Sequence, residues 1–313
     1  MAVWPKSKQP KEPKSNTQNP NTSKPKRGFM ILDGKALSAL MREDLAKKIA
    51  ASKAPELAVI LVEGNDASEI YVSNKLKAAE KVGIKTTLHR LSQDSDTASI
   101  CALIDKLNAD INCNAILLQL PLPAQIDKDL LLSRIDPLKD VDGFHPINVG
   151  KMYLGLPCLA ACTALGIIRL LTHYGVELRG RNVAMIGASN IVGKPTSLML
   201  LSLGATVSVC HDLTGDIALF TKSADVVISA TGMAGLIRAD MIKKGAAVVD
   251  VGISRVLIDG KNRIVGDCDY EALLPIAGAI SPVPGGVGPM TIAYLLENTY
   301  KAQQMQKQAE KNF

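Results

Sequence analysis

Residues 183–195 read VAMIGASNIVGKP, and the reading of this stretch decides the fold. Its apolar run predicts a buried strand ending in a turn that carries Gly187, Ala188, Ser189 and Gly193, and a helical pattern over 192–203 follows. Strand, small-residue turn and helix in this order let backbone N–H groups and a helix N-terminus approach a pyrophosphate. The turn departs from G-x-G-x-x-G, because Ala188 and Ser189 stand where two further glycines would complete it. Taken alone, the stretch also fits a plain strand-turn-helix with a packing glycine.

The residues just downstream favour the nucleotide reading. Asp212 ends the next apolar run, ATVSVCHD, about 25 residues after Gly187, near where dinucleotide folds place a carboxylate against the adenosine ribose. Turn and acid together predict a nicotinamide cofactor. Two more apolar runs follow, DVVISATG at 225–232 and AAVVDVGI at 246–253.

The N-terminal half alternates in the same way. LAVILV (57–62), a helix over 66–82, TTLHRLS (86–92), a helix over 97–108 and AILLQLPLP (115–123) predict parallel βα units. Asp66 with Glu69 suggests a capping box for the first of these helices, with Ile70, Leu76 and Val82 on its apolar face and Gly83 ending it. The expected fold is therefore α/β with two domains joined near residue 150: residues 28–149, and a Rossmann-type doubly wound domain over 150–286. A last helix from 289 to about 306 follows AISPVPGGVGPM, and residues 287–306 are assigned back to the first domain.

Composition narrows the function classes. At 313 residues and 47% apolar content the chain can bury a sizeable core. The net charge of +6 comes from the tail: residues 1–27 hold seven Lys or Arg against Glu12, which leaves 29 bases and 29 acids in the remainder. That remainder has no basic footprint for nucleic acid. The tail itself, Lys- and Pro-rich with few apolar residues, is expected to be disordered, and Met30 is a candidate alternative start. No stretch has the length of a membrane span. Cys101, Cys113, Cys158, Cys162, Cys210 and Cys268 lack C-x-x-C spacing and read as reduced, intracellular thiols, and His89, His145, His173 and His211 lack metal-ligand spacing, so no metal is expected.

Within SEIYVSNKLKAAEK (68–81), Tyr71 and Lys75 lie four apart on one helix face. Y-x-x-x-K also marks short-chain dehydrogenases, but that family places its nucleotide turn ahead of the tyrosine. Here the turn comes more than a hundred residues later.

Six motifs together, YVSNKLKAAEKVGI, LLQLPLP, KDVDGFHPINVGK, GASNIVGKP, DVGI and PVPGGVGPMT, resemble the bifunctional methylenetetrahydrofolate dehydrogenase/methenyltetrahydrofolate cyclohydrolase (FolD-like) family, in its order, from about residue 30 to 300. The resemblance implies oxidation of 5,10-methylenetetrahydrofolate with NADP or NAD, then hydrolysis of the methenyl product to 10-formyltetrahydrofolate. It further implies a cytoplasmic homodimer that serves one-carbon metabolism and purine biosynthesis. By the same resemblance Lys75 is the catalytic group, acting as a proton carrier after desolvation or as a fixed cation. Gln119 supports it, and Tyr71 stacks on or bonds to the folate. Asp142 would hold the pterin, whose amino-pyrimidine edge offers N–H donors to a carboxylate. Pro284, Gly285 and Gly286 would line the folate site, and Ile253 of DVGI would join Gly187, Ala188, Ser189, Gly193 and Asp212 around the cofactor. A monofunctional dehydrogenase and a non-catalytic dinucleotide-binding subunit are the alternatives.

The chain departs from that pattern in two places. Many members read G-R-S in the turn and carry Ser at the end of the next strand, where this chain has Ala188 and Asp212. These two residues lean towards NAD. Many also read P-C-T-P before the helix that enters the nucleotide domain, whereas AACTALG (160–166) keeps Cys162 and Thr163 without either proline.

Overall fold

The computed structural model describes residues 29–258 and 261–311, so the tail lies outside the described residues. The chain enters through β1 (Met30–Ile31) and α1 (Gly34–Ala50). It then runs through β2 (Glu56–Val62), α2 (Asp66–Lys81), β3 (Lys85–Leu91), α3 (Thr97–Ala109), β4 (Ala115–Leu118) and α4 (Lys128–Arg134). β2 pairs in parallel with both β3 and β4. Its side chains alternate between two cores: Leu57, Val59 and Leu61 pack with α1 and α2, while Ala58, Ile60 and Val62 pack with α3 and α4. Both faces are covered, which is why LAVILV carries no polar residue.

Two helices, α5 (Pro146–Tyr153) and α6 (Cys162–His173), lead into the second series. That series is β5 (Asn182–Ile186), α7 (Gly193–Ser202), β6 (Thr206–Cys210), α8 (Ala218–Thr221), β7 (Val226–Ser229) and β8 (Ala247–Asp250). The hairpin β9 (Ser254–Ile258) and β10 (Lys261–Val265), then α9 (Tyr270–Leu273), β11 (Ala279–Ile280) and α10 (Val287–Lys311) complete it. The larger sheet is parallel, in the order β1-β11-β8-β7-β5-β6. Because β5 lies between β6 and β7, successive connections leave it on opposite sides. A doubly wound sheet binds ligands at such a switch point.

The expected α/β architecture is present, and α10 returns to the first unit as expected. Val287 and Met290 belong to the core beneath the larger sheet, whereas Leu295, Leu296 and Ala302 belong to the core of the smaller one.

Several local expectations need correction. Asn65, rather than Asp66, caps α2 by accepting from the Ser68 amide at 3.0 Å. Glu69 is consequently free to pair with Arg90 at 2.6 and 2.9 Å. Ile70 is 51% exposed, because the buried face of α2 is drawn by Ser68, Val72, Ala78 and Ala79. The last helix starts earlier and runs further than the span 289–306, its second half being held by amides such as Gln306 on the Asn114 and Leu138 carbonyls. β1 falls within the span 28–149, yet its backbone pairs with β11 in the larger sheet.

Candidate active site

Lys75 projects from α2 and Gln119 follows the buried end of β4. The Lys75 ammonium donates to Gln119 Oε1 at 2.9 Å, and Gln119 Nε2 donates to the Leu120 carbonyl. One ammonium N–H is thereby fixed, and two remain for other partners. Gln119 is buried, Lys75 is half-buried, and Tyr71, one turn earlier, is 38% exposed. The helical spacing thus places an aromatic face and a cation along the same stretch of α2.

The segment KDVDGFH presents two aspartates with opposite roles. Asp140 is buried and saturated: it accepts from the amides of Gly143, Phe144 and His145 and from Asn148 Nδ2, and so folds the turn leading into α5. Asp142, among the described residues, receives no hydrogen bond on its carboxyl group. Burial pushes that carboxyl up to about 6; the Lys75 cation opposes the rise and Asp140 adds to it. The Cys162 thiol responds to the same neighbours, being raised by burial first and by Asp142 next, with Lys75 opposing. Lys75, Gln119 and Asp142 therefore converge from three separate elements, leaving an acceptor without a partner beside a cation.

Pro284 is exposed, Gly285 has φ +116°, and Gly286 is buried, donating its amide to the Pro282 carbonyl at 2.8 Å. This loop sits on the start of α1. Lys35 N donates to the Gly285 carbonyl at 2.8 Å, and a Cβ on Gly34 would lie 1.7 Å from the Gly286 oxygen. Gly34 was missed in the sequence, although Asp33, the N-cap that accepts from Ala36 N, is a readable helix start.

At the switch point, Gly187 has φ +107°, and a Cβ there would meet the Ala230 carbonyl oxygen at 2.4 Å. A Cβ on Gly193 would meet the Gly187 oxygen at 1.9 Å. The turn is thus closed tightly on itself and on the end of β7, as a backbone cradle for phosphate requires. α7 starts without a side-chain cap; the Lys194 amide donates to the Ser189 carbonyl at 3.0 Å and Pro195 has no N–H, so of its first amides that of Gly193 is left for a ligand. Ala188 and the exposed Ser189 lie in the turn, and Ser189 Oγ accepts from Val192 N at 3.2 Å. The residues therefore fit a dinucleotide.

Asp212 lies two residues beyond the end of β6, with its side chain 95% exposed and 3.9 Å from His211 Nδ1. Ile253 is exposed between β8 and the hairpin. Two buried carboxylates lock the base of that hairpin. Asp250 accepts from the amides of Gly252, Asp267 and Cys268, and one oxygen of Asp267 accepts from Ser229 Oγ and from both the amide and hydroxyl of Thr231. Neither carboxylate was singled out in the sequence, since isolated acids in apolar runs look alike there. Among the described residues no cluster of His, Cys, Asp or Glu could hold a metal ion, no helix is long and apolar enough to cross a membrane, and all six cysteines are free.

Comparison with known proteins follows the same division. The family model described as the catalytic domain of tetrahydrofolate dehydrogenase/cyclohydrolase matches residues 32–142, and that of its NAD(P)-binding domain matches residues 161–307. The bifunctional protein FolD of Helicobacter pylori is 49% identical over 294 residues, covering 92% of this chain and 100% of that protein. The crystal structure of the bifunctional FolD enzyme from Campylobacter jejuni superposes with a TM-score of 0.86 at 50% identity, covering 89% of this chain and 100% of its own. The Trypanosoma brucei dehydrogenase-cyclohydrolase, solved with NADP and an inhibitor, gives 0.86 at 35% identity, covering 89% and 98%.

Proposed function

Because this chain belongs to the tetrahydrofolate dehydrogenase/cyclohydrolase family, we infer how its own residues carry out the two reactions. The enzyme oxidises 5,10-methylenetetrahydrofolate to the methenyl form and hydrolyses that to 10-formyltetrahydrofolate. The nicotinamide dinucleotide, when bound, takes up the hydride. Gly187, Ala188, Ser189 and Gly193 cradle its phosphates, and Asp212 and Ile253 flank it. The folate lies between Tyr71 and the loop Pro284 to Gly286, with Asp142 accepting from its amino-pyrimidine edge. Lys75, aimed by Gln119, orients the attacking water as a fixed cation; taking up the proton released as the new C–O bond forms requires its neutral amine. Residues 32–149 with α10 form the folate half, and residues 150–286 with β1 form the nucleotide half.

The observation that carries this reading is the 2.9 Å bond from Lys75 to Gln119 beside an Asp142 carboxyl with no partner of its own. An absorbance assay of nicotinamide reduction, followed by an acid quench that traps methenyl product, tests both activities. Reduction with accumulating methenyl product would reveal a monofunctional dehydrogenase, and no reduction would reveal a binding subunit.

Asp142 gives the first quantitative expectation. Its carboxyl titrates at about 6, so it is ionised above that pH and loses acceptor capacity below it. The KM for folate should climb as pH falls through 6. The folded-state value lies above the ordinary one, so this group's contribution to stability falls as pH rises from about 4 to about 6. Asp142→Asn should therefore raise the melting temperature at pH 7, where the ionised carboxyl is destabilising, while raising the folate KM at least about tenfold. Thermal melts and steady-state kinetics on the same preparation check both signs.

β6 forms one edge of the larger sheet, and Leu203, Val209, Leu213 and Leu219 are exposed on or near it. An unpaired edge with apolar neighbours is a template for a second strand, so we assign the homodimer contact to this edge. Light scattering should report twice the chain mass of 33.3 kDa, falling to a single mass in Val209→Lys. A single mass in the wild type overturns the assignment.

A further inference from the structure

We propose that Asn298 is a positioning residue for the folate reaction: from α10 it holds the carbonyl that precedes Asp142, and so sets where that carboxylate stands. The proposal rests on the reading of Asp142 given above. Asn298 is 3% exposed and contacts neither Lys75 nor Gln119 through a hydrogen bond. Its Nδ2 donates to the Val141 carbonyl at 2.8 Å and to the Ala160 carbonyl at 2.9 Å, with Cys162 Sγ at 3.4 Å. The Cys162 thiol donates to the same Val141 carbonyl at 3.2 Å.

These bonds join three segments at one point: the end of the first unit, the connector before α6, and the last helix. The turn is also pressed hard against the connector. Gly143 has φ +72°, and a Cβ there would lie 2.3 Å from the Ala160 carbonyl carbon. A side chain with its own hydrogen bonds would be aimed by them, but the Asp142 carboxyl has none among the described residues. Its direction depends on the backbone of residues 141–143, which Asp140 holds from the Gly143 side through that amide, while Asn298, Cys162 and the Gly143 contact hold it at Val141 and against the connector. The charged or titratable groups facing it are Lys75 from α2, Cys162 from α6 and Asp140 on its own segment. Cys162 shares the Val141 carbonyl through its longer thiol bond, but among the described residues it makes no bond to the Ala160 carbonyl that Asn298 also holds. Only the amide N–H₂ supplies two donors to two carbonyls at once, and a carboxylate of the same shape could donate to neither.

The test uses the full-length enzyme with Asn298→Ala, Asn298→Ser and, as reference, Asp142→Asn. Folate KM, dinucleotide KM, kcat and melting temperature are measured for each. Asn298→Ala should raise the folate KM about tenfold while the dinucleotide KM stays within about twofold. Asn298→Ser, whose hydroxyl can still donate to one carbonyl, should recover part of the loss. If Asn298→Ala fails to fold, Asn298→Ser decides by the same criterion. A folate KM within about twofold of wild type in the folded variant overturns the proposal, as does an equal rise in both KM values, which would indicate general loosening. An unchanged folate KM in Asp142→Asn would instead sink the reading of Asp142 itself.

Discussion

Lys75→Met should lose methenyl hydrolysis by a factor on the order of 10² to 10⁴ while the protein remains folded. Methionine keeps the length and apolar stem of lysine, so the half-buried position on α2 stays packed, while the ammonium and its donors disappear. Gln119 Oε1 then has no cation to orient, and the attacking water loses the group that positions it. A second signature should accompany the first. The Lys75 cation holds the Asp142 carboxyl below where burial alone would put it, so its removal should move the inflection in folate KM from about 6 to higher pH. Decay of methenyl absorbance measures the rate, and the KM profile measures the inflection. Hydrolysis at the wild-type rate would show that Lys75 is not the catalytic group.

The enzyme should use NAD with a kcat/KM at least about tenfold above that with NADP. Asp212 stands just past β6 with its carboxylate open to solvent. There it can accept from free ribose hydroxyls but repels a phosphate in the same place. Solvent screening weakens that repulsion at so exposed a carboxylate, so the tenfold figure rests on the missing donor at position 188 as well. The nearby basic side chains are turned to other partners: Lys194 donates to Asn190 Oδ1 at 2.7 Å, and His211 Nδ1, which accepts from the Leu213 amide at 3.2 Å, has no N–H to offer a phosphate from that nitrogen. Ala188 offers no donor at all, where an arginine would supply a planar fork for the phosphate. The double variant Asp212→Ser with Ala188→Arg should reverse the preference. A wild-type preference for NADP, unimproved by that double variant, would refute the assignment.

Long-period features of this chain were legible before any coordinates. Apolar runs such as LAVILV and NVAMIG, separated by helical patterns, describe parallel strands buried on both faces, and this burial removes polar residues from the sequence itself. Features that depend on distant partners were not legible. Asp140 and Asp142 look interchangeable in DVDG, yet one is saturated by four donors and the other has none, because the Asn148 amide and the fold of residues 143–145 decide between them. β1 is two residues long, too short to carry a period, and only its pairing with β11 reveals its sheet. Asn65 displaced Asp66 as the cap because adjacent Asx residues compete for one position, and only backbone geometry selects between them. Asn298 in LLENTY follows Glu297 on a helix, and nothing in its neighbours shows that it faces two carbonyls rather than water.

The passage of α10 through both cores has a consequence for how the molecule is made. Protein chains emerge from the ribosome N-terminus first, and domains ordinarily fold in that order as units. Here the apolar face of the smaller sheet lacks Leu295, Leu296 and Ala302 until residues 295–302 are translated, although its other buried members, from Leu45 to Cys162, have long been synthesised. The half that is made first is therefore the half that closes last. A nascent chain halted before residue 287 carries an open apolar surface on its first-made sheet, the kind of surface that chaperones bind.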